Sequence, residues 1–164
     1  MNEELEPEQR DVPPTIGVLG AGGIAVALAT MFARAGHEVR IGGRDEDVVA
    51  ESSVVIPTAL GVQGAVQRLR PWRAELRGRI LVDITNPFTG GHVDFVSPWA
   101  TGGTPDPSVP DIHVISDDEE AKRTFLGLCA ATPFTYVDGG GVDQARRVER
   151  MALREVGSAG MLAA

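Results

Sequence analysis

The chain lacks what several protein classes require. Its one cysteine, Cys129, rules out an internal disulfide and any cysteine-rich metal site. No apolar run approaches the roughly 20 residues that span a bilayer. There is no His-Glu-x-x-His pair, serine-centred elbow or carboxylate cluster, so neither a metal site nor hydrolysis is indicated. Positive charge is also scarce: 15 Lys and Arg against 23 Asp and Glu leave a formal charge of −8, which argues against nucleic acid or an anionic membrane as partner. No repeat of about 20 to 50 residues suggests a solenoid or propeller.

What is present is ordinary globular material. The 43% apolar and 23% charged residues lie in the usual range, and 164 residues make one domain on a scale of about 150 residues each. The opening residues carry Glu3, Glu4, Glu6, Glu8 and Asp11 against Arg10, with Pro7, Pro13 and Pro14. Such a segment buries too little apolar surface to offset its ordering entropy, so residues 1–14 are expected to form a disordered tail. It is also the opposite of a basic, apolar leader, and a soluble cytoplasmic protein is expected. Residues 15–164 form the domain.

Beyond the tail, short strand-like runs alternate with helical stretches. The strands read as Thr15 to Leu19, Glu38 to Ile41, Ser53 to Ile56, Arg79 to Ile84, Ile112 to Ile115 and Phe134 to Val137. A helix from Ile24 to Ala35 ends at Gly36, a natural C-terminal cap. Asp45 to Glu51 is barely two turns. Val62, Ala65, Val66 and Leu69 recur at helical spacing, and Pro71 either breaks that helix or begins another. Ser116 reads as the N-cap of a helix reaching Ala131, with Asp117 to Glu120 placed where acids complement the helix dipole. A last helix runs from Val142 to Val156. This alternation predicts a single Rossmann-like, doubly wound parallel sheet of order 3-2-1-4-5-6, with helices on both faces.

Between the first strand and its helix stands Gly20-Ala21-Gly22-Gly23-Ile24-Ala25, a G-x-G-x-x-A pattern. Gly20 permits a tight turn, Gly22 lets backbone approach a pyrophosphate, and Ala25 allows close helix-to-strand packing. The phosphates would then meet free N–H groups at a helix N-terminus. The pattern alone is weak, but here it sits between a strand and a helix, with a second strand following. At the end of that second strand, NAD-binding domains place an acid for the ribose 2′-hydroxyl. This chain reads Ile41-Gly42-Gly43-Arg44, and Arg44 offers a charged fork to a 2′-phosphate. NADP(H) is therefore the expected cofactor. Asp45 belongs to the start of the short helix.

Several stretches together resemble a known family. Gly20 to Ile24, Ala35 to Val39 and Gly42 to Asp45 are similar to the opening of the NADP oxidoreductases that use a deazaflavin coenzyme. Asp83-Ile-Thr-Asn-Pro87, Ser116-Asp-Asp-Glu-Glu-Ala-Lys122 and Asp138-Gly-Gly-Gly-Val-Asp-Gln-Ala-Arg146 resemble that family's later elements. The likeness runs from about residue 15 to residue 150. Its first βαβ unit is shared with pyrroline carboxylate reductases and the cytosolic domains of ferric reductases, and the later elements narrow it. The resemblance implies hydride transfer between NADP(H) and a deazaflavin. It implies that Gly20, Ala21, Gly22, Gly23 and Ile24 hold pyrophosphate and that Gly43 and Arg44 hold the 2′-phosphate. Pro57 and Thr58 would line the pocket, and Asn86 and Pro87 would border the nicotinamide. A homodimer is common among such enzymes, and the apolar face of the last helix could serve it.

The chain departs from the family in being shorter. Gly43 replaces a serine, the helix after Arg44 is a stub, and a stretch from Phe88 to Pro110 replaces a helix-strand portion. That stretch carries Phe88, His92, Asp94, Phe95 and Trp99, a candidate wall for a small-molecule pocket, with His92 as candidate acid or base. Hydride transfer needs orientation more than a side-chain acid. The resemblance implies a deazaflavin as hydride partner, with a flavin or a small organic substrate as the other readings. The alternative is a repurposed fold: a cyclisation or isomerisation in the loop-lined pocket, or an NADP(H)-binding sensor. His37 and His113 are read as structural, and Cys129 as a buried, inert thiol.

Overall fold

A computed structural model describes residues 13–42, 45–58, 62–84 and 111–151. Strand β1 (Ile16–Leu19) leads through the glycine turn into helix α1 (Gly23–Arg34). Strand β2 (Val39–Ile41), helix α2 (Asp45–Ala50), strand β3 (Val54–Pro57), helix α3 (Val62–Leu69) and strand β4 (Ile80–Leu81) follow. The second half holds β5 (Ile112–Val114), α4 (Glu119–Cys129) and β6 (Tyr136–Asp138). A 3-10 turn, Val142–Gln144, then passes into helix over 145–151.

All strand pairs are parallel, but the order is not 3-2-1-4-5-6. The sheet runs β2-β1-β3-β4, while β5 and β6 form a separate pair among the described residues. The chemistry of the strands explains the correction. Val54, Val55, Ile56 and Pro57 are all buried, which demands helices on both faces and strands on both sides. β2 carries exposed Arg40 and Ile41, and so takes the edge. A sheet with β3 outermost would expose the apolar strand and bury the charged one.

Alternation along the strands then divides the core. Ile16, Val18, Val54 and Ile56 face one layer with Ala25, Ala29, Met31 and Phe32 of α1 and Phe125, Leu128 and Cys129 of α4. Leu19 and Val55 face the other, against Val48 and Val49 of α2, with Leu69, Trp72 and Leu76. Burying a side chain such as Phe32, Met31 or Ile16 stabilises the fold by about 1.5–3 kcal/mol. β5 and β6 join the first layer through Ile112, Val114 and Tyr136. Arg79 pins the second by donating to the carbonyls of Glu75 (2.6 Å), Ala50 (2.9 Å) and Ser52.

Local readings fare well at the glycines and less well at the caps. Gly36 ends α1 as expected: its N–H donates to Ala33 and the His37 N–H to Phe32, closing the last turn in the double-bonded manner favoured by a left-handed glycine. Pro71 opens a 3-10 turn, Arg70–Trp72, rather than simply stopping the chain. The N-cap of α4 is Asp118, not Ser116. The Asp118 carboxylate accepts from Glu120 N and Ala121 N, whereas the Ser116 hydroxyl accepts from Asp118 N one step earlier.

Candidate functional site

The glycine turn lies at the carboxyl ends of β1 and β3. Leu19 pairs with Pro57, and the next residue, Thr58, crosses back to β1. Its N–H and its hydroxyl both donate to the Leu19 carbonyl at 2.9 Å, and the residue is 2% exposed. Gly20 has φ +136°, and a Cβ there would collide with the Thr58 hydroxyl. Two residues singled out separately, Gly20 and Thr58, therefore form one tight seam. Ala25 is fully buried, its Cβ 3.5 Å from where a Gly20 Cβ would stand, so a larger residue would push the helix off the strand.

Beyond the seam the chain opens to solvent. Gly22 caps α1 in extended conformation (φ −79°, ψ 175°) with no side-chain hydrogen bond, and no acid lies in the first turn. The first N–H groups of a helix have no partner within it, and the N-cap residue Gly22 has no side chain to cap them. Among the described residues, a Cβ on Gly22 or Gly23 would meet nothing within 4 Å. The result is an accessible, partly positive backbone surface at a sheet's carboxyl edge. That geometry suits phosphate oxygens.

At the end of β2, Gly42 turns the chain with φ +72°, and Gly43 and Arg44 lie outside the described residues. Asp45 opens α2, and both of its carboxylate oxygens are taken by Arg68 of α3, Nε to Oδ2 at 2.5 Å and Nη2 to Oδ1 at 2.5 Å. The carboxylate raises the Arg68 pKa further, chiefly through this hydrogen bonding. Alongside lies a groove of about 330 Å³ between β2 and α2. Arg40 stands in its wall, bridged to Glu38 at 3.0 Å and Glu51 at 2.9 Å.

Asn86, Pro87, Phe88, His92, Asp94, Phe95 and Trp99 all lie outside the described residues. The strand that leads to them is placed: β4 runs parallel to β3, and Val82 N–H donates to Val55, which carries the chain toward the same carboxyl edge.

The two later motifs, read from resemblance alone, meet in space. Lys122 reaches Glu119 and Asp138 at 2.8 Å each and the Gly140 carbonyl at 3.5 Å, with only 2% of its side chain exposed. Asp117 accepts from Val142 N at 2.8 Å, and Ser116 N donates to Gly140. Lys122 holds the Asp138 carboxyl below its usual range, and the two acids raise the Lys122 pKa. Sequence reasoning missed this clamp. The signal was available: Lys122 shares a helical stripe with Phe125, Leu128 and Cys129, all buried.

His37 and Cys129 are structural. His37 Nε2 donates to the Leu128 carbonyl at 2.7 Å, since a carbonyl can only accept, and its ring packs edge-on to Phe32. Burial pushes the Cys129 thiol up to about 12, which makes it inert. Among the described residues no cluster of three or more His, Cys, Asp or Glu could hold a metal, and no helix is long and apolar enough to cross a membrane.

Fold and glycine junction together define a Rossmann-like α/β domain. No family model matches the chain. It is 28% identical over 181 residues to metalloreductase STEAP3 of Rattus norvegicus, a match covering 86% of this chain and 37% of that protein. The chain thus spans little more than a third of the length of the curated relatives it matches. Among solved structures, a protein assigned as an F-420-dependent NADP reductase from Arthrobacter sp. FB24 superposes with a TM-score of 0.66 at 24% identity, covering 92% of this chain and 95% of that one. An imine reductase from Myxococcus stipitatus in complex with NADP+ superposes with a TM-score of 0.60 at 19% identity, covering 91% and 62%. The comparison returns the fold of a protein carrying the description that the motifs resemble, over nearly its whole length.

Proposed function

We propose that the chain is an NADP(H)-dependent oxidoreductase, transferring hydride between NADP(H) and a deazaflavin, a flavin or a small organic substrate. The observation that carries this is the uncapped start of α1 beside positive-φ Gly20, at the carboxyl edge of β1 and β3. The space above Gly22 and Gly23, open among the described residues, fits a pyrophosphate in close contact with backbone. The N–H groups from Gly20 to Ile24 hold it, and the Thr58 seam keeps the turn rigid. Gly43 and Arg44 take the 2′-phosphate, with Arg44 supplying local positive charge in a chain of net −8. When bound, the nicotinamide supplies the hydride. Asn86 and Pro87 border it, and Pro57 lies on the same edge. Phe88, His92, Asp94, Phe95 and Trp99 form the second-substrate wall. The protein's part is orientation and exclusion of water. Reductases among the similar proteins support this reading.

The test is a titration with NADPH and NADH, following Trp72 and Trp99 fluorescence, then NADPH consumption with deazaflavin and flavin acceptors. NADPH binding with turnover is expected. Failure to bind either nucleotide overturns the reading, and binding without turnover favours the non-redox alternative. A cytoplasmic homodimer completes the proposal. A monomer by light scattering would remove that part alone.

A further inference from the structure

The Asp45–Arg68 pair has a bearing on which dinucleotide binds, an inference that rests on the NADP(H) reading above. Asp45 directly follows Arg44, at the end of the strand where dinucleotide specificity is set. A free carboxylate there has a predictable effect: it accepts a hydrogen bond from a ribose 2′-hydroxyl and repels a 2′-phosphate. Asp45 is not free. Arg68 grips both oxygens in a parallel, two-bond fork at 2.5 Å each. The pair is no local helix contact, since its members lie on α2 and α3, on opposite sides of β3 in sequence. It is also partly withdrawn from water, with the two side chains 32% and 23% exposed, so salt screens it less than a surface pair.

We propose that Arg68 is a specificity-determining residue for 2′-phosphorylated nucleotide: it sequesters the Asp45 carboxylate, one of three acids in the first turn of α2, from a 2′-phosphate. Arg68 acts through Asp45 and does not touch the nucleotide. Discrimination between NADPH and NADH then arises partly from cancelling a repulsive element, not only from adding an attractive one.

The experiment compares NADPH and NADH affinities in the intact chain and in four variants. Arg68→Ala is expected to weaken NADPH about tenfold while NADH binds as well or better, because the released carboxylate discriminates between the two ribose groups. Arg68→Gln, which keeps most of the side-chain length, shows the same direction and guards against misfolding in the alanine variant. Asp45→Asn alone leaves NADPH within about twofold, its charge being already neutralised. Arg68→Ala combined with Asp45→Asn restores NADPH affinity. Equal loss for both nucleotides, or no rescue by Asp45→Asn, overturns the inference and marks Arg68 as structural or as a direct phosphate ligand. An intact chain that binds NADPH with a ratio indifferent to Arg68 sinks this inference alone. An intact chain that binds neither nucleotide sinks the NADP(H) reading as well.

Discussion

Two junctions in this molecule have nearly the same backbone and opposite fates. After β1, Gly22 stands at φ −79°, ψ 175° before α1; after β6, Gly141 stands at φ −81°, ψ 175° before the 3-10 turn. A glycine with positive φ stands two residues before the first, Gly20 at +136°, and directly before the second, Gly140 at +89°. At the second junction the protein fills the cap itself: the Asp117 carboxylate accepts from Val142 N, and a Cβ on Gly141 would meet that oxygen at 2.7 Å. At the first, a Cβ on Gly22 would meet nothing within 4 Å among the described residues. Such a junction takes an anionic oxygen, and where the described residues supply none it is open to one from a ligand. The difference lies in neighbours, not in the glycines.

The largest expected effect separates the two turns by their surroundings. Gly20→Ala should destabilise the fold by about 2–4 kcal/mol in denaturant unfolding, because strain at positive φ adds to displacement of the Thr58 hydroxyl. Gly140→Ala should cost less, about 1–2 kcal/mol, since its Cβ would meet only the flexible Gln144 side chain. Equal losses would mean that the Thr58 seam contributes nothing.

Closing the open junction comes next. Gly22→Asp should lower NADPH affinity on the order of 100-fold, by placing a carboxylate where the pyrophosphate sits. Thermal stability should hold or rise, because Asp is a favoured N-cap and the backbone there is ordinary. Unchanged NADPH binding in the fluorescence titration would show that this helix end is not the site.

Opening the closed junction is the milder converse. Asp117→Ala should cost about 1 kcal/mol in thermal melts, one exposed hydrogen bond to backbone, and leave nucleotide affinity unmoved. A change in NADPH affinity would instead link the second junction to the site.

The smallest effect is a slope in the dependence of Tm on pH. The Asp138 pKa is depressed from its ordinary value near 3.8, so its contribution is present above that value and lost as pH falls toward the folded pKa. The Lys122 pKa is raised from 10.5, so its contribution is present below that value and lost as pH rises through the folded pKa. Asp138→Asn should flatten the acid limb and reduce the alkaline one. Unaltered limbs would show that the clamp is energetically idle.

Much of the first βαβ unit was legible because its signals are local. Gly36 ends α1 through its own backbone freedom, and Gly20 to Ala25 placed a turn in which Gly20 and Ala25 each answer a contact. Ala25 packs as its size required, and Cys129 fell on a buried stripe. The N-cap at Asp118 was missed by two residues because Ser116 and Asp118 both accept backbone N–H groups, and only geometry chooses between them. Lys122 escaped notice because its two partners come from different elements. The Thr58 seam spans 39 residues from Leu19, a pairing with no local signature. The candidates from Asn86 to Trp99 lie outside the described residues: Asn86 and Pro87 rest on the resemblance, and the wall from Phe88 to Trp99 on residue chemistry.

The sequence by itself determined which segments are strands and helices, where the glycine turn lies, and that an acid is absent before Arg44. These follow from periodicity, backbone freedom and residue charge, all short-range properties. Only the tertiary structure decided that β3 packs beside β1, that Asp45 is held by Arg68, and that one glycine junction stays open while its near twin is filled. Each depends on which surfaces meet, and burial and charge pairing are settled by the whole assembly of elements rather than by any one of them.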